Sequence, residues 1–425
     1  MPTEAIPIDS NARRALLFGV AAVLITGTFF TAKWGFANTV ATRTDVKELA
    51  EFGTGLASGD PYAHFSNAGI LDRTFDPDSI ARALSEYETA VSLSPNNYLF
   101  WLGLGRARER DGDRPAAERA FRHAAKLAPN YARVKWALGN VLVRQDKTEE
   151  GFAEMRSAVE SDTAFAAPAV TAAWQVFDGD LDRVKTALGD SPPIYVELAK
   201  FLAGQKRFDD AAAVWGKIPK QEKRSTYHDA GKALTAKFIE GKRYRLAVTI
   251  AGEIAEDASN APATAKFVNG DFEKGLKAQN ADLFDWQLGS GEYPQIGPSE
   301  SQNKQGKVSL IILFRVPANT EFRPVQQTLA VEPGKKYRLA LSYRMETKTN
   351  AVFRWEVVSA GDGKRLSVTD PLVNATAWST EGTEFLVPAD VDGITIRLIR
   401  ENCVSPSCSV SGNIWFDDFV LSSVN

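Results

Sequence analysis

Cysteine, histidine and methionine are scarce in this chain of 425 residues, with two, three and three copies. Two cysteines are too few for a disulfide scaffold or a four-cysteine zinc site. The histidines, His64, His123 and His228, all lie in the part of the chain with helical periodicity, and none has a second histidine spaced to complete a metal site or a triad. An excess of one charge is also missing: 50 basic residues face 53 acidic ones, for a net charge of -3, which removes the electrostatic case for nucleic acid. No nucleophile elbow, phosphate loop or dinucleotide fingerprint occurs. Asp417 and Asp418 are adjacent on a strand-like segment and so point to opposite faces, unlike the facing carboxylates of a glycoside hydrolase. We expect no enzymatic activity and no catalytic cofactor.

Long apolar runs are absent with one exception. Ala15 to Ala32 forms 18 residues without a charge, preceded by Arg13 and Arg14, which is about the shortest run able to cross a bilayer. We read residues 15–36 as an uncleaved anchor, with Trp34 and Phe36 at the far interface and residues 1–14 as a cytoplasmic tail held inside by the basic pair. The alternative is a cleaved signal peptide, whose best cleavage site is Thr39 to Ala41. Either reading takes the rest of the chain out of the cytoplasm, and the anchor reading makes it a single-pass protein of the inner membrane facing the periplasm. Cys403 and Cys408 enclose VSPS, and a disulfide closing that loop fits an oxidising compartment; two unrelated free thiols are the alternative.

Beyond a linker or juxtamembrane helix over 37–65, residues recur at a fixed interval. Trp101, Leu104, Gly105, Ala117, Phe121, Ala124 and Pro129 return 34 residues later as Lys135, Leu138, Gly139, Gly151, Met155, Ala158 and Thr163, and Ala83, Tyr87, Ala90 and Pro95 supply an earlier half-unit. A unit of this kind is a helical hairpin that cannot bury its own apolar face, so neighbours must stack. Gly105, Gly139, Ala117 and Gly151 are the expected close-approach positions, Phe121 and Met155 the plugs, and Pro95 and Pro129 the stops. Weaker copies include Leu198, Ala211 and Trp215, then Leu234, Ala247 and Ala251, with Ala166 to Leu188 a degenerate hairpin turning at Gly179. The period and residue order resemble the tetratricopeptide repeat. That resemblance implies an α-solenoid over 66–257 whose first helices line a groove, with Arg106, Arg110, Trp136, Asn140 and Arg144 at the ligand positions. Such a groove suits the carboxylates of a protein partner or an anionic extended peptide.

After Asp257 helical periodicity gives way to alternation. Residues 258–263 read as a linker and 264–425 as about ten short strands, among them Val325 to Val331, Lys336 to Met345, Val352 to Val358, Gly393 to Arg400 and Gly412 to Leu421, which implies a β-sandwich. FVNGDFE at 267–273, EPGKKYRLALSYR in the middle and GNIWFDDFVL at 412–421 resemble carbohydrate-binding modules of the galactose-binding jelly-roll type. In that family the first and last strands pair and a structural calcium often sits where the two end motifs meet. The resemblance therefore implies Glu273 and Asp418 as ligands, with Asn269 and Asp417 as further candidates. For sugar binding, Trp286, Tyr293 and Trp378 are candidate stacking platforms, with Arg344, Arg354 and Gln327 as polar neighbours. Trp355 shares strand parity with Phe353 and Val357 and belongs to the core.

The sequence thus reads as a transmembrane helix, an all-α solenoid and an all-β jelly roll. The expected function is a membrane-anchored scaffold that docks a protein partner and engages a glycan, in the manner of proteins that assemble or export cell-surface polysaccharide. Two alternatives remain: a purely structural subunit without sugar binding, and an accessory subunit of a polysaccharide-modifying enzyme.

Overall fold

The computed structural model describes residues 10–73, 77–277, 279, 281–291, 293–316, 322–401 and 409–424. Cys403 and Cys408 lie outside the described residues. The chain separates into two compact units, Met1–Ile194 and Tyr195–Asn425.

The first unit is helical: α1 (Asn11–Arg43), α2 (Lys47–Leu56), α3 (Pro61–Leu71), α4 (Pro77–Leu93), α5 (Tyr98–Arg110), α6 (Arg114–Leu127), α7 (Ala132–Val143), α8 (Thr148–Ser161), α9 (Ala166–Val176) and α10 (Leu181–Leu188). The 34-residue pattern has the packing meaning expected of it. A Cβ on Gly105 would lie 2.4 Å from the ring of Phe121, and one on Gly139 would lie 2.8 Å from both the Gly151 carbonyl and Met155 Cγ. The helices of α5–α6 and α7–α8 therefore approach to a separation that only a missing side chain allows. Phe121 and Met155 are buried as plugs, and the core runs from hairpin to hairpin through Leu102, Val134, Leu138 and Val141. Asp60, Asn97, Asp113 and Asp180 cap the starts of α3, α5, α6 and α10 by accepting from main-chain N–H groups, each worth about 1 kcal/mol. Gly179 turns between α9 and α10 at φ 77°.

The stretch over 37–65 is folded into this unit. Ala37 and Ala41, on the last turns of α1, are buried, a Cβ on Gly53 of α2 would stand 3.0 Å from Ala41 Cβ, and Asn38 donates to the Asp60 carboxylate. The proposed cleavage site at Thr39 to Ala41 thus lies within a continuous helix that supplies core residues.

Helix α11 (Pro192–Gly204) crosses the unit boundary, and α12 (Phe208–Gly216), α13 (Lys220–Arg224), α14 (His228–Glu240) and α15 (Tyr244–Ile254) belong to the second unit with the strands. The strands are β1 (Gln287–Leu288), β2 (Gln295–Ser299), β3 (Ser309–Val316), β4 (Val325–Ala330), β5 (Lys336–Lys348), β6 (Val352–Ser359), β7 (Arg365–Val368), β8 (Ala375–Leu386), β9 (Gly393–Glu401) and β10 (Val410–Val424). They form two antiparallel five-stranded sheets, β1-β4-β9-β6-β7 and β2-β3-β10-β5-β8. Their inner faces share one core in which Tyr337, Leu339, Leu341 and Tyr343 of β5 and Phe353, Trp355 and Val357 of β6 alternate inward as their parity requires. The last strand pairs with β3 and β5 rather than with the first strand, which pairs with β4. The opening motif still meets the closing one, because Phe419 N–H donates to Gly270 O at 3.0 Å.

Helix α15 is bonded directly to the sandwich. Asp392 accepts from the N–H groups of Tyr244 (3.2 Å) and Arg245 (3.3 Å), capping the helix from 148 residues away in sequence, and the Tyr244 hydroxyl donates to Ala360 O at 2.9 Å. A Cβ on Gly393 would lie 2.2 Å from the Tyr244 ring, so this approach requires glycine. Helix α15 and the sandwich belong to the same compact unit, Tyr195–Asn425, and the α-helices give way to strands after residue 254 as the change in periodicity implied.

Candidate functional site

A cavity of about 410 Å³ opens along the first helices of the repeats, lined by Phe65, Asp72, Arg73, Tyr87, Leu99, Leu102, Arg106, Arg110, Tyr131 and Arg133. Repeat geometry explains its membership: Phe65, Leu99 and Arg133 are successive members of one column spaced by 34 residues, as are Asp72 and Arg106 of a second. Four arginines meet one aspartate here. Arg110 is paired with Asp72, and Arg73 reaches Asp45 at 3.7 Å between two exposed side chains. Arg106 and Arg133 have no ion pair among the described residues. Burial raises the pKa of the Tyr87 hydroxyl, while Arg106 and Arg73 pull it down. Tyr87 is therefore a neutral phenol set beside the guanidinium groups of Arg106 and Arg73. Flat aromatic walls, apolar floor and unpaired guanidinium forks suit carboxylates carried on an extended segment.

The groove residues expected from the sequence divide. Arg106 and Arg110 line the cavity, whereas Trp136, Asn140 and Arg144 do not. Trp136 packs on Phe165 with centroids 5.3 Å apart, Asn140 Nδ2 donates to Trp136 O at 2.8 Å, and Arg144 pairs with Glu109 at 2.5 Å. Arg73, Arg133 and Tyr131 were missed, although the 34-residue columns contain the signal for Arg133.

A larger cavity, about 670 Å³, lies in the second unit between α14–α15 and the opening segment of the sandwich. Its lysines are already answered: Lys232 pairs with Asp282 at 3.2 Å, Lys277 with Asp282 at 2.6 Å and Asp285 at 3.2 Å, and Lys274 with Asp257. Compensation of this kind leaves no strong handle for a ligand, so the smaller cavity is the better site despite its size.

The sugar-platform residues also divide. Trp286 is 2 % exposed, packed among Phe267, Phe272, Phe419 and Trp355, and donates from Nε1 to Asn269 O at 3.0 Å. This corrects the expectation, since a core ring has no open face on which a pyranose can stack. Gln327 points inward and donates to Val268 O at 2.9 Å. Arg354 bonds Glu401 at 3.1 Å, and Trp355 is core as its parity required. Trp378 stays half-exposed on β8, within the irregularity between Ala375 and Ser379 that faces Arg344 of β5. Arg344 lies over the Trp415 ring at 5.6 Å and donates to Glu346 and Gln302. Tyr293 is exposed just before β2, at the opposite edge of the same sheet from β8. Four strand spacings separate these edges, about 19 Å, so Tyr293 and Trp378 cannot stack on one ring.

Three of the four expected calcium ligands, Glu273, Asp417 and Asn269, are hydrogen-bonded to main-chain groups. Glu273 Oε1 accepts from the N–H groups of Lys307 and Val308 at 2.7 and 2.8 Å, which lowers its pKa. Asp417 Oδ2 accepts from Lys304 and Gln305 at 2.9 and 3.3 Å, and its Oδ1 from Asp418 N–H at 2.8 Å. The Asn269 amide closes a turn through Lys274 N–H and Gly275 O. Burial pushes the Asp417 and Asp418 carboxyls up, with Asp271 adding repulsion. Among the described residues no group of three or more His, Cys, Asp or Glu is placed to hold a metal ion. Main-chain N–H groups at 304–308 take Glu273 Oε1 and Asp417 Oδ2.

No protein-family model matches the chain, and no curated protein matches it. Among solved structures, one titled "CBM4 structure and function" is similar over 37 % of this chain and 100 % of its own, at 16 % identity and a TM-score of 0.29. YrrB, described as a TPR protein with an unusual peptide-binding site, is similar over 49 % of this chain and 92 % of its own, at 15 % identity and a TM-score of 0.27. MamA from Desulfovibrio magneticus RS-1 covers 40 % of this chain and 80 % of its own, at 16 % identity and a TM-score of 0.27. Likenesses this partial leave function to be argued from the geometry.

Proposed function

We propose that this protein is a non-enzymatic, membrane-anchored adaptor whose helical groove holds an acidic segment of a protein partner. The observation that carries the reading is the pair Arg106 and Arg133, unpaired among the described residues in an aromatic-walled cavity with four arginines and one aspartate. Both side chains are exposed at the mouth of the cavity, where their guanidinium forks are open to a ligand's carboxylates. Anchoring is supported by α1, which is long and apolar enough to cross a membrane and whose last turns are built into the first unit, so that cleavage at Thr39 to Ala41 would remove buried Ala37. The basic pair Arg13 and Arg14 supports an inside N-terminus, with the folded units outside the cytoplasm.

The sandwich engages a glycan in this reading, through Trp378 with Arg344 beside it, and the protein serves assembly or export of cell-surface polysaccharide. Two weak contacts on one anchored chain reinforce each other through effective concentration. The competing reading is a structural or accessory subunit whose sandwich binds no sugar, and Trp378→Ala separates the two by its effect on glycan retention.

The groove is tested by fluorescence anisotropy with short labelled peptides carrying two acidic residues around one aromatic residue. Charge-assisted hydrogen bonds are worth about 1.5–3 kcal/mol each, so Arg106→Glu with Arg133→Glu is expected to weaken binding at least about a hundredfold, and Arg144→Glu to leave it unchanged. Equal binding by the double variant and the parent would sink the assignment.

A further inference from the structure

Large apolar side chains are concentrated on the surface just beyond the apolar run. Residues 34–52 hold five exposed ones, Trp34, Phe36, Val46, Leu49 and Phe52, whereas the described chain after residue 52 holds nine. Phe36 is 60 % exposed, Phe52 55 % and Leu49 49 %. A soluble surface does not collect such groups without covering them.

Their placement is ordered. In α2 the buried residues Ala50, Gly53 and Thr54 form one face, while Leu49, Phe52 and half-buried Leu56 follow at helical spacing along one flank, with Glu48 at its border and Glu51 away from it. Gly53 packs between Ala37 and Ala41 of α1, and the turn after α2 carries Asp60 back to Asn38, so α2 runs antiparallel to the end of α1. With α2 reversed in this way, helical geometry puts Phe36 and the Leu49–Phe52–Leu56 flank on the same side of the pair. Level with Leu56, Phe36 is about 6 Å beyond Ala32 at 1.5 Å per residue, within a headgroup layer roughly 5–7 Å deep on each side of the hydrocarbon. Phe52 and Leu49 stand progressively higher.

We infer that the α1–α2 pair forms a foot that rests on the lipid surface: α1 crosses the bilayer tilted toward this side, which lowers the flank so that Phe36 and Leu56 lie in the interfacial layer and Phe52 reaches its outer edge. Continuity with the membrane-crossing run selects lipid as the occupant, since the patch begins where that run ends and no hinge separates them. Aromatic residues are the side chains favoured at that depth, and tilts of about 20° are ordinary for single spans. The foot fixes the first hairpins, and the arginine-lined groove with them, at a set angle to the membrane. This inference rests on the reading of α1 as a membrane span.

The test uses the full chain with Cys403→Ser and Cys408→Ser, reconstituted in nanodiscs of phosphatidylethanolamine and phosphatidylglycerol. Spin labels are placed singly through Phe52→Cys, Leu49→Cys, Val23→Cys within the run and Glu160→Cys on the exposed side of α8. Circular dichroism checks that each labelled chain retains its helix content, and collision rates with oxygen and with a water-soluble nickel complex are compared. The expected oxygen-to-nickel ratio is highest at position 23, severalfold above the position-160 value at position 52, and intermediate at position 49. A ratio at 52 equal to that at 160, with 23 still lipid-like, overturns the foot and leaves the span standing. A water-accessible label at 23 overturns the span itself. Low collision with both reagents at 52, together with spin–spin broadening, overturns the lipid assignment in favour of a second copy on this face.

Discussion

Charge is handled in opposite ways by the two units. In the second unit nearly every buried or half-buried charge has been answered from within: Glu356 sits between Arg365 at 2.6 Å and Arg397 at 2.5 Å, and buried Lys223 reaches Glu253 at 2.8 Å. In the groove of the first unit Arg106 and Arg133 stand unanswered among the described residues while Arg122, on a neighbouring helix, is paired with both Glu118 and Glu150. In the groove, open guanidinium groups stand against an aromatic wall, whereas the buried charges of the second unit are paired. The contrast teaches that pocket volume is a poor guide here, because the larger cavity is electrostatically closed and the smaller is not.

The comparison breaks most severely if packing rather than charge defines the groove. Phe121→Ala empties the plug between α5 and α6 and is expected to cost about 3–5 kcal/mol. In calorimetry that loss should fall on the transition of the first unit and leave that of the second unit where it was; a matching fall in both would show that the two do not melt separately.

A smaller loss is expected from Asp392→Ala. Removing the distant cap of α15 is worth about 0.5–2 kcal/mol, and hydrogen exchange should rise in 244–247 while the repeats stay protected. No change there would mean that the helix holds its place on the sandwich through Tyr244 and Gly393 alone.

The mildest stability effect is a pH dependence in the first unit. His64 is buried, with Nδ1 2.5 Å from Glu86 and Nε2 donating to Ser58 O at 3.0 Å. Its pKa is raised from 6.5, mainly by the bond to Glu86. A raised histidine pKa means that the contribution is complete below the unfolded value and is lost as pH climbs through the folded value. Melting of the first unit should therefore weaken as pH rises from 6 toward 8 (about the range in which histidine titrates), and His64→Gln should flatten that slope. For the sandwich the expected effect is nil: because main-chain N–H groups already hold Glu273 and Asp417, adding calcium or a chelator should leave its melting temperature unchanged.

Much of the architecture was legible because it is local. Glycine opposite a bulky plug, proline after a helix and inward alternation along a strand are set by neighbours a few residues or one repeat away. Gly105 with Phe121, the hairpin turning at Gly179, and strands β4, β5, β6, β9 and β10 follow directly from such signals. β2 and β8 were not legible, since as sheet edges they carry a weaker alternation with a single buried residue each.

Sites were harder, for a reason seen in particular residues. Arg106 and Arg144 were both expected on the groove face, yet of these two only Arg144 meets a carboxylate among the described residues, that of Glu109 from the preceding hairpin. Trp286 and Trp378 both looked like residues near strand ends, and closure of two sheets buried one and left the other half-exposed. Hairpin, plug and strand are therefore written in the chain's own periodicity, whereas burial of an aromatic ring, neutralisation of a charge and the capping of α15 by Asp392 were decided only on folding. Those outcomes depend on groups brought together from distant positions, and short-range pattern holds no record of such meetings.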